Sequence, residues 1–151
     1  MINYQISCKN PSSQFIQLRL TFSLSEAKAV ILQLPAWRAG RYQLANYAQF
    51  IRKFSITDEN GNPVPFEKIA SNRWLAYCEH SGEFLVEYEF WAGKMDAGSA
   101  WVDDEQVYLN LVNCCLEILD YPEEEIHLTL DLPDFPQQIS TLIPNSDSVW
   151  K

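Results

Sequence analysis

The sequence holds few of the residues that catalytic and metal-binding motifs require. It has two histidines, His80 and His127, among 151 residues. A zincin helix needs two histidines one turn apart with a glutamate nearby, and no such pair is present. Cys8, Cys78, Cys114 and Cys115 show no CxxC spacing, so a zinc knuckle is not expected. The five glycines are scattered, which leaves no phosphate-cradling loop. No GxSxG elbow occurs; Gly98-Ser99-Ala100 is small and flexible but lacks that pattern. Basic residues are scarce too, 11 against 20 acidic ones for a net charge of -9. Such a surface repels phosphate backbones and anionic headgroups, so neither nucleic acid nor membrane is an expected partner. No apolar run approaches the roughly 20 residues of a membrane-spanning helix. Met1-Ile2-Asn3-Tyr4-Gln5 offers neither the basic nor the apolar stretch of a secretory leader, and none is expected.

What is present is apolar and periodic. Hydrophobic residues make up 47% of the chain and aromatics 13%, enough for a core without staples. The dominant period is two. Ile2, Tyr4, Ile6 and Cys8 alternate with polar neighbours, as do Ile16, Leu18, Leu20, Phe22 and Leu24. Phe84, Val86, Tyr88 and Phe90 repeat the pattern, and so do Ile126, Leu128, Leu130 and Leu132. Each run describes a strand with one face buried and one wet, which belongs to antiparallel sheets. Weaker strands are expected at 30–34, 53–58, 64–69, 73–79, 106–118 and 138–143. Asn60-Gly61 marks a tight turn before 64–69, and Pro63 and Pro65 suggest an edge. The strand at 73–79 is expected to form a hairpin with 83–91 across His80-Ser81-Gly82. Residues 43–50 carry the one helical pattern, of one or two turns. The predicted fold is all-β: one domain over residues 1–151, an antiparallel two-sheet sandwich of about ten strands with at most one short helix.

Several clusters invite a chemical reading. Asp103-Asp104-Glu105, with Asp96 near, offers oxygen ligands but not the alternation of a calcium loop, so a solvated turn is the simpler reading. Glu123-Glu124-Glu125 reads as a charged hairpin end. His127 on a polar strand face and His80 beside a turn both read as solvated histidines. The cysteines read as buried free thiols, which favours a reducing compartment and a cytoplasmic location. In the segment 34–42, Pro35 ends a strand and Gly40 permits a turn. Trp37 and Tyr42 supply large apolar surfaces on which Arg38 or Arg41 can stack. That corner is either internal packing or a surface that docks a partner domain.

Leu34-Pro35-x-Trp37-x-x-Gly40-x-Tyr42, followed by Asn46-Tyr47-Ala48, Ile51 and Phe54, resembles the opening of the glycyl-aminopeptidase-like zinc metallopeptidases. That family, whose members also carry a C-terminal PDZ domain, usually has proline before the glycine; here it is Ala39. A second block agrees: Ala97-Gly98-Ser99, then Asp104-Glu105-Gln106-Val107-Tyr108, Asn110 and Val112-Asn113-Cys114-Cys115. The resemblance implies a β-sandwich that packs on a thermolysin-like catalytic domain of the same chain. It implies no cofactor in these 151 residues, and zinc with its HExxH helix in a downstream domain. It implies removal of small N-terminal residues such as glycine from a peptide substrate.

By analogy with related aminopeptidases, the resemblance also implies a strand and a polar side chain at the rim of the substrate cleft, near the free α-amino group. Asn110 and Asn113, amides in an apolar run taken as a strand over 108–115, are the first candidates, since a buried amide needs a partner. On one strand they face opposite sides. Glu105 and Gln106 are the alternatives. Trp37, Arg38, Arg41 and Tyr42 are expected in the interdomain contact. A different class of function is a free-standing peptide- or carbohydrate-binding module, which would set Trp37, Trp74, Trp91 and Trp101 in an exposed row. An independent hydrolase lacks a nucleophile–base pair.

Overall fold

A computed structural model describes residues 1–37, 44–95, 98–121 and 124–135, together with the backbone of 149–150. The period-two runs become the longest strands. β1 (Ile2–Ser7), β2 (Phe15–Leu24), β3 (Lys28–Gln33) and β4 (Ile51–Asp58) come first. β5 (Phe66–Ala70), β6 (Arg73–Cys78) and β7 (Gly82–Trp91) follow. The remainder is short: β8 (Trp101–Val102), β9 (Val107–Tyr108), a helical turn α1 (Leu111–Cys114), β10 (Glu117–Ile118), β11 (Ile126–Asp131) and β12 (Val149–Trp150). A 3-10 turn at Tyr47–Phe50 lies within the stretch expected to be helical. The expected strand at 138–143 lies outside the described residues.

Two sheets face each other. One runs β12-β11-β1-β2-β7-β4 and the other β10-β3-β6-β5, while β8 and β9 form a separate ribbon. The alternation chooses the faces. Ile16, Leu18, Leu20 and Phe22 of β2 and Phe84, Val86, Tyr88 and Phe90 of β7 are buried against Val30, Leu32, Trp74 and Ala76 of the opposite sheet. Each fully buried Leu, Ile or Phe contributes roughly 1.5–3 kcal/mol. The fold is the expected all-β sandwich, with one departure from antiparallel order among the described residues: β1 pairs β11 in parallel, Ile2 opposite Ile126 through Ser7 opposite Asp131.

Two expected hairpins do not form. β4 bonds to β7, whereas β5 bonds to β6 in the other sheet. The Asn60-Gly61 turn is there, with Gly61 at φ +80 and its N–H donating to Asp58 O at 3.0 Å. Beyond the bridge of Thr57 to Pro63 and Val64 N donating to Ile56 O, the chain crosses to the second sheet. Likewise β6 and β7 are consecutive but lie in different sheets. Alternation states which face of a strand is buried, and both sheets of a sandwich bury a face equally well.

A bulge between Arg52 and Ser55 places Lys53 and Phe54 opposite Tyr88. Lys53 adopts φ +53, a left-handed conformation usually left to glycine. Phe54 reaches the gap between the sheets, its ring stacked on Trp74 with centroids 5.0 Å apart and edge-on to Phe66 at 4.9 Å.

Candidate functional site

The end of β1, the start of β2, the ends of β3 and β7 and the starts of β4 and β6 share one end of the sandwich. The longer loops gather there. Val102 N donates to Ala92 O at 2.8 Å, and Gly93 bridges Trp101, which folds the β8–β9 ribbon onto the end of β7. Ala45 N donates to Ala36 O at 2.8 Å and closes the neck of the loop after β3. Phe50, in the 3-10 turn, packs edge-on to Phe90 at 5.8 Å.

The candidate amine-binding residues lie in this loop system, but not on one strand. The stretch expected to be a strand over 108–115 is instead β9, then α1, then β10. Asn110 occupies the cap position before α1, where its carbonyl accepts from Asn113 N at 2.9 Å. An apolar run of this length does not distinguish strand from helix, and amides such as Asn110 favour caps. The facing argument for Asn110 and Asn113 therefore falls with the strand. Asn113 is 1% exposed and its Nδ2 donates to Gly98 O; its Oδ1 is buried with no protein partner. Asn110 is half-buried, whereas Glu105 and Gln106 are exposed.

Glu105 and Gln106 belong to a turn organised by Asp103. One carboxylate oxygen of Asp103 accepts from the backbone N–H of Glu105 at 2.9 Å and of Gln106 at 2.8 Å. The other accepts from Trp101 Nε1 at 2.7 Å. The Trp101 bond, supported by the two amides, holds the Asp103 carboxyl below its ordinary range. The acidic triplet is thus a turn whose first residue is engaged in main-chain bonding.

Tyr4 and Tyr88, which the sequence did not single out, bond to the main chain at and just after α1. Tyr4 Oη donates to Leu116 O at 2.6 Å and Tyr88 Oη donates to Cys114 O at 2.7 Å. Leu116 N donates back to Tyr88 Oη at 3.3 Å. Desolvation by burial raises both phenols well above their ordinary value, so both stay hydrogen-bond donors. The available signal was a tyrosine on the buried face of an alternating run, since a buried hydroxyl seeks a partner.

Trp37 is 52% exposed; Arg38, Arg41 and Tyr42 lie outside the described residues. Leu44, at 79%, Met95, Tyr108 and Val112 are also exposed large apolar residues of this end. Sequence reading did not mark Leu44, Met95 or Val112 as surface, because apolar residues carry no sign of exposure. The four tryptophans do not make an exposed row: Trp74 is 4% exposed, and Trp91 and Trp101 are half-buried.

The described residues do not fit a zinc centre. Among them no three His, Cys, Asp or Glu side chains converge. His80 lies at the opposite end, its Nδ1 3.0 Å from Ser81 O and its Nε2 3.4 Å from Asp58. His127, expected to be solvated, is mostly covered, with Nε2 3.5 Å from Glu125. It sits on β11, beside Asn3 of β1. All four cysteines are free thiols, three of them buried. Among the described residues no helix is long and apolar enough to cross a membrane.

Comparison with known proteins agrees with this architecture. An aminopeptidase N family protein from Idiomarina loihiensis superimposes with a TM-score of 0.85 at 22% identity. The match covers 99% of this chain and 26% of that one, so the chain spans about a quarter of its structural relative. An M1 zinc metallopeptidase from Deinococcus radiodurans aligns over 87% of this chain and 31% of its own, at 12% identity and a TM-score of 0.49. A search of curated proteins finds no match. The family model for the Peptidase M61 N-terminal domain matches residues 3–150, and the chain belongs to that family.

Proposed function

We propose that this domain does no chemistry itself and packs, through its loop end, against the zinc-bearing catalytic domain of an aminopeptidase. In this reading it also lends polar groups to the cleft that receives the N-terminus of a peptide substrate. The observation that carries the reading is the exposure of Trp37, Leu44, Met95, Tyr108 and Val112, large apolar residues of the loop end. Large apolar side chains left in water are costly, and an interface would cover them. That the chain matches about a quarter of a larger relative supports a neighbour in the same polypeptide. Glu105 and Gln106 are exposed and Asn110 half-buried in the same loop system, whereas Asn113 is buried. An ammonium group would find carboxylate and amide acceptors there. The free thiols suit a reducing, cytoplasmic setting.

The test uses the full-length gene product and a version lacking residues 1–151. The full-length protein should release glycine from glycyl p-nitroanilide, and a chelator should abolish that activity. The shortened version should lose it or need far more substrate, and Leu44→Asp with Val112→Asp should reproduce part of that loss. Full activity without the domain, or peptide hydrolysis by residues 1–151 alone, would end this reading.

A further inference from the structure

The stretch between β9 and β10 is held without a sheet. β9 ends at Tyr108 and β10 begins at Glu117. Within the gap the segment's own main-chain bonds close one turn: Asn113 N to Asn110 O at 2.9 Å and Cys115 N to Leu111 O at 2.8 Å. One helical turn does not persist in water by itself, because nucleation fixes several residues for a single bond. Beside the bond from Asn113 Nδ2 to Gly98 O, two strands of the six-stranded sheet supply polar anchors. Tyr88 Oη bonds both Cys114 O and Leu116 N, and Tyr4 Oη bonds Leu116 O. Tyr4 and Tyr88 are both buried, so water cannot take their place. Tyr88 is itself braced. It lies opposite the bulge at Lys53 and Phe54, and the Phe54 ring packs against it at 6.2 Å.

We propose that Tyr88 and Tyr4 are positioning residues whose hydroxyls, in place of strand pairing, hold the segment from Asn110 to Leu116 at the loop end. This rests on the reading above: the held segment is the part of the docking and cleft region that presents Asn110 and Val112, with Asn113 buried within it. Replacing tyrosine by phenylalanine keeps the ring and removes only the hydroxyl. Two carbonyls and one amide then lose their partners inside the protein.

The experiment is done in the full-length protein, with Tyr88→Phe, Tyr4→Phe and the double variant. Leu24→Val, a buried change at the polar end of β2, opposite Gly82, is the control. Hydrogen exchange should quicken on the order of tenfold at residues 110–118 and stay unchanged in β2 and β7. KM for glycyl p-nitroanilide should rise several-fold while kcat stays within about twofold. Leu24→Val should do neither. Exchange that is unchanged at 110–118, or that quickens equally throughout the domain, overturns the proposal. So does local loosening without a change in KM. An unmodified full-length protein with no aminopeptidase activity sinks the functional reading instead, and the exchange arm then decides whether the hydroxyls hold the segment.

Discussion

The two ends of the sandwich are built on different principles. At the end where β2 passes to β3 and β6 to β7, connections are short and polar atoms are paired locally. Asp58 accepts from Asn60 N, Asn62 N and Asn62 Nδ2, all within four residues. His80 closes over it, stacked on Phe84 at 5.3 Å, and Lys28 reaches Asp120 at 3.4 Å. At the other end the loops after β3 and β7 are longer, and Trp37, Leu44, Met95, Tyr108 and Val112 face solvent. Order there comes from bonds between residues far apart in sequence, Tyr4 to Leu116 and Tyr88 to Cys114 among them. Among the described residues, one end is ordered by bonds within a few residues and the other by bonds that span the chain.

The largest test of that contrast asks whether both ends share one core. Phe84 anchors the polar end against Phe22, and Phe90 anchors the loop end against Phe50. Each change to alanine should cost about 3–5 kcal/mol in urea unfolding. A cost under about 1 kcal/mol for Phe90→Ala would mean that the loop end does not unfold with the rest.

The next effect is pH dependence at the polar end. The Asn62 side chain, with two backbone amides, lowers the Asp58 carboxyl below its ordinary 3.8. A lowered acid stabilises fully above its unfolded value, and that contribution is lost as pH falls through the folded one. The Ser81 carbonyl, followed by Asp58, raises His80 above its ordinary 6.5. A raised base stabilises fully below its unfolded value, and the contribution is lost as pH rises through the folded one. Both operate between 3.8 and 6.5. His80→Gln should remove the alkaline limb of the stability profile and Asp58→Ala the acid limb. A profile unchanged by either substitution would refute the pairing.

A smaller effect is expected at the bulge that braces the loop end. Lys53 at φ +53 bears a strain of about 1–2 kcal/mol that glycine avoids, against a greater loss of chain entropy. Lys53→Gly should therefore raise stability by up to about 1 kcal/mol, and Lys53→Val should lower it. The least effect belongs to the exposed apolar side chains of the loop end. Leu44→Ser and Val112→Ser should change the unfolding free energy of residues 1–151 by no more than about 0.5 kcal/mol. A large loss in this domain alone would show these side chains to be internal packing.

The strands that alternate cleanly were legible before any coordinates: β1, β2, β7 and β11 fall where Ile6, Leu20, Val86 and Leu128 placed them. The Asn60-Gly61 turn was legible too, since few residues tolerate its backbone. Sheet membership was not, because β5 and β6 carry the same kind of pattern as the strands of the facing sheet. The β9–α1–β10 break was missed because Leu109, Leu111 and Val112 suit helix and strand alike. Nothing in the sequence flagged Lys53, where glycine would have marked the left-handed turn. Of the candidate site, both sequence blocks were visible. That Asn113 turns inward toward Gly98 while Glu105 and Gln106 stay exposed was not, because burial there is set by loops packing on other loops.

Sequence alone determined that the chain is all-β, which faces of its alternating runs form the core, and that these residues contain no HExxH motif. Those properties follow from local alternation and from which residues exist at all. Tertiary structure decided which strands share a sheet, that β1 and β11 run parallel, and that two buried hydroxyls hold the segment around Asn113. Each of these joins groups far apart in the chain, and the free energy of such a contact depends on where the whole fold brings them.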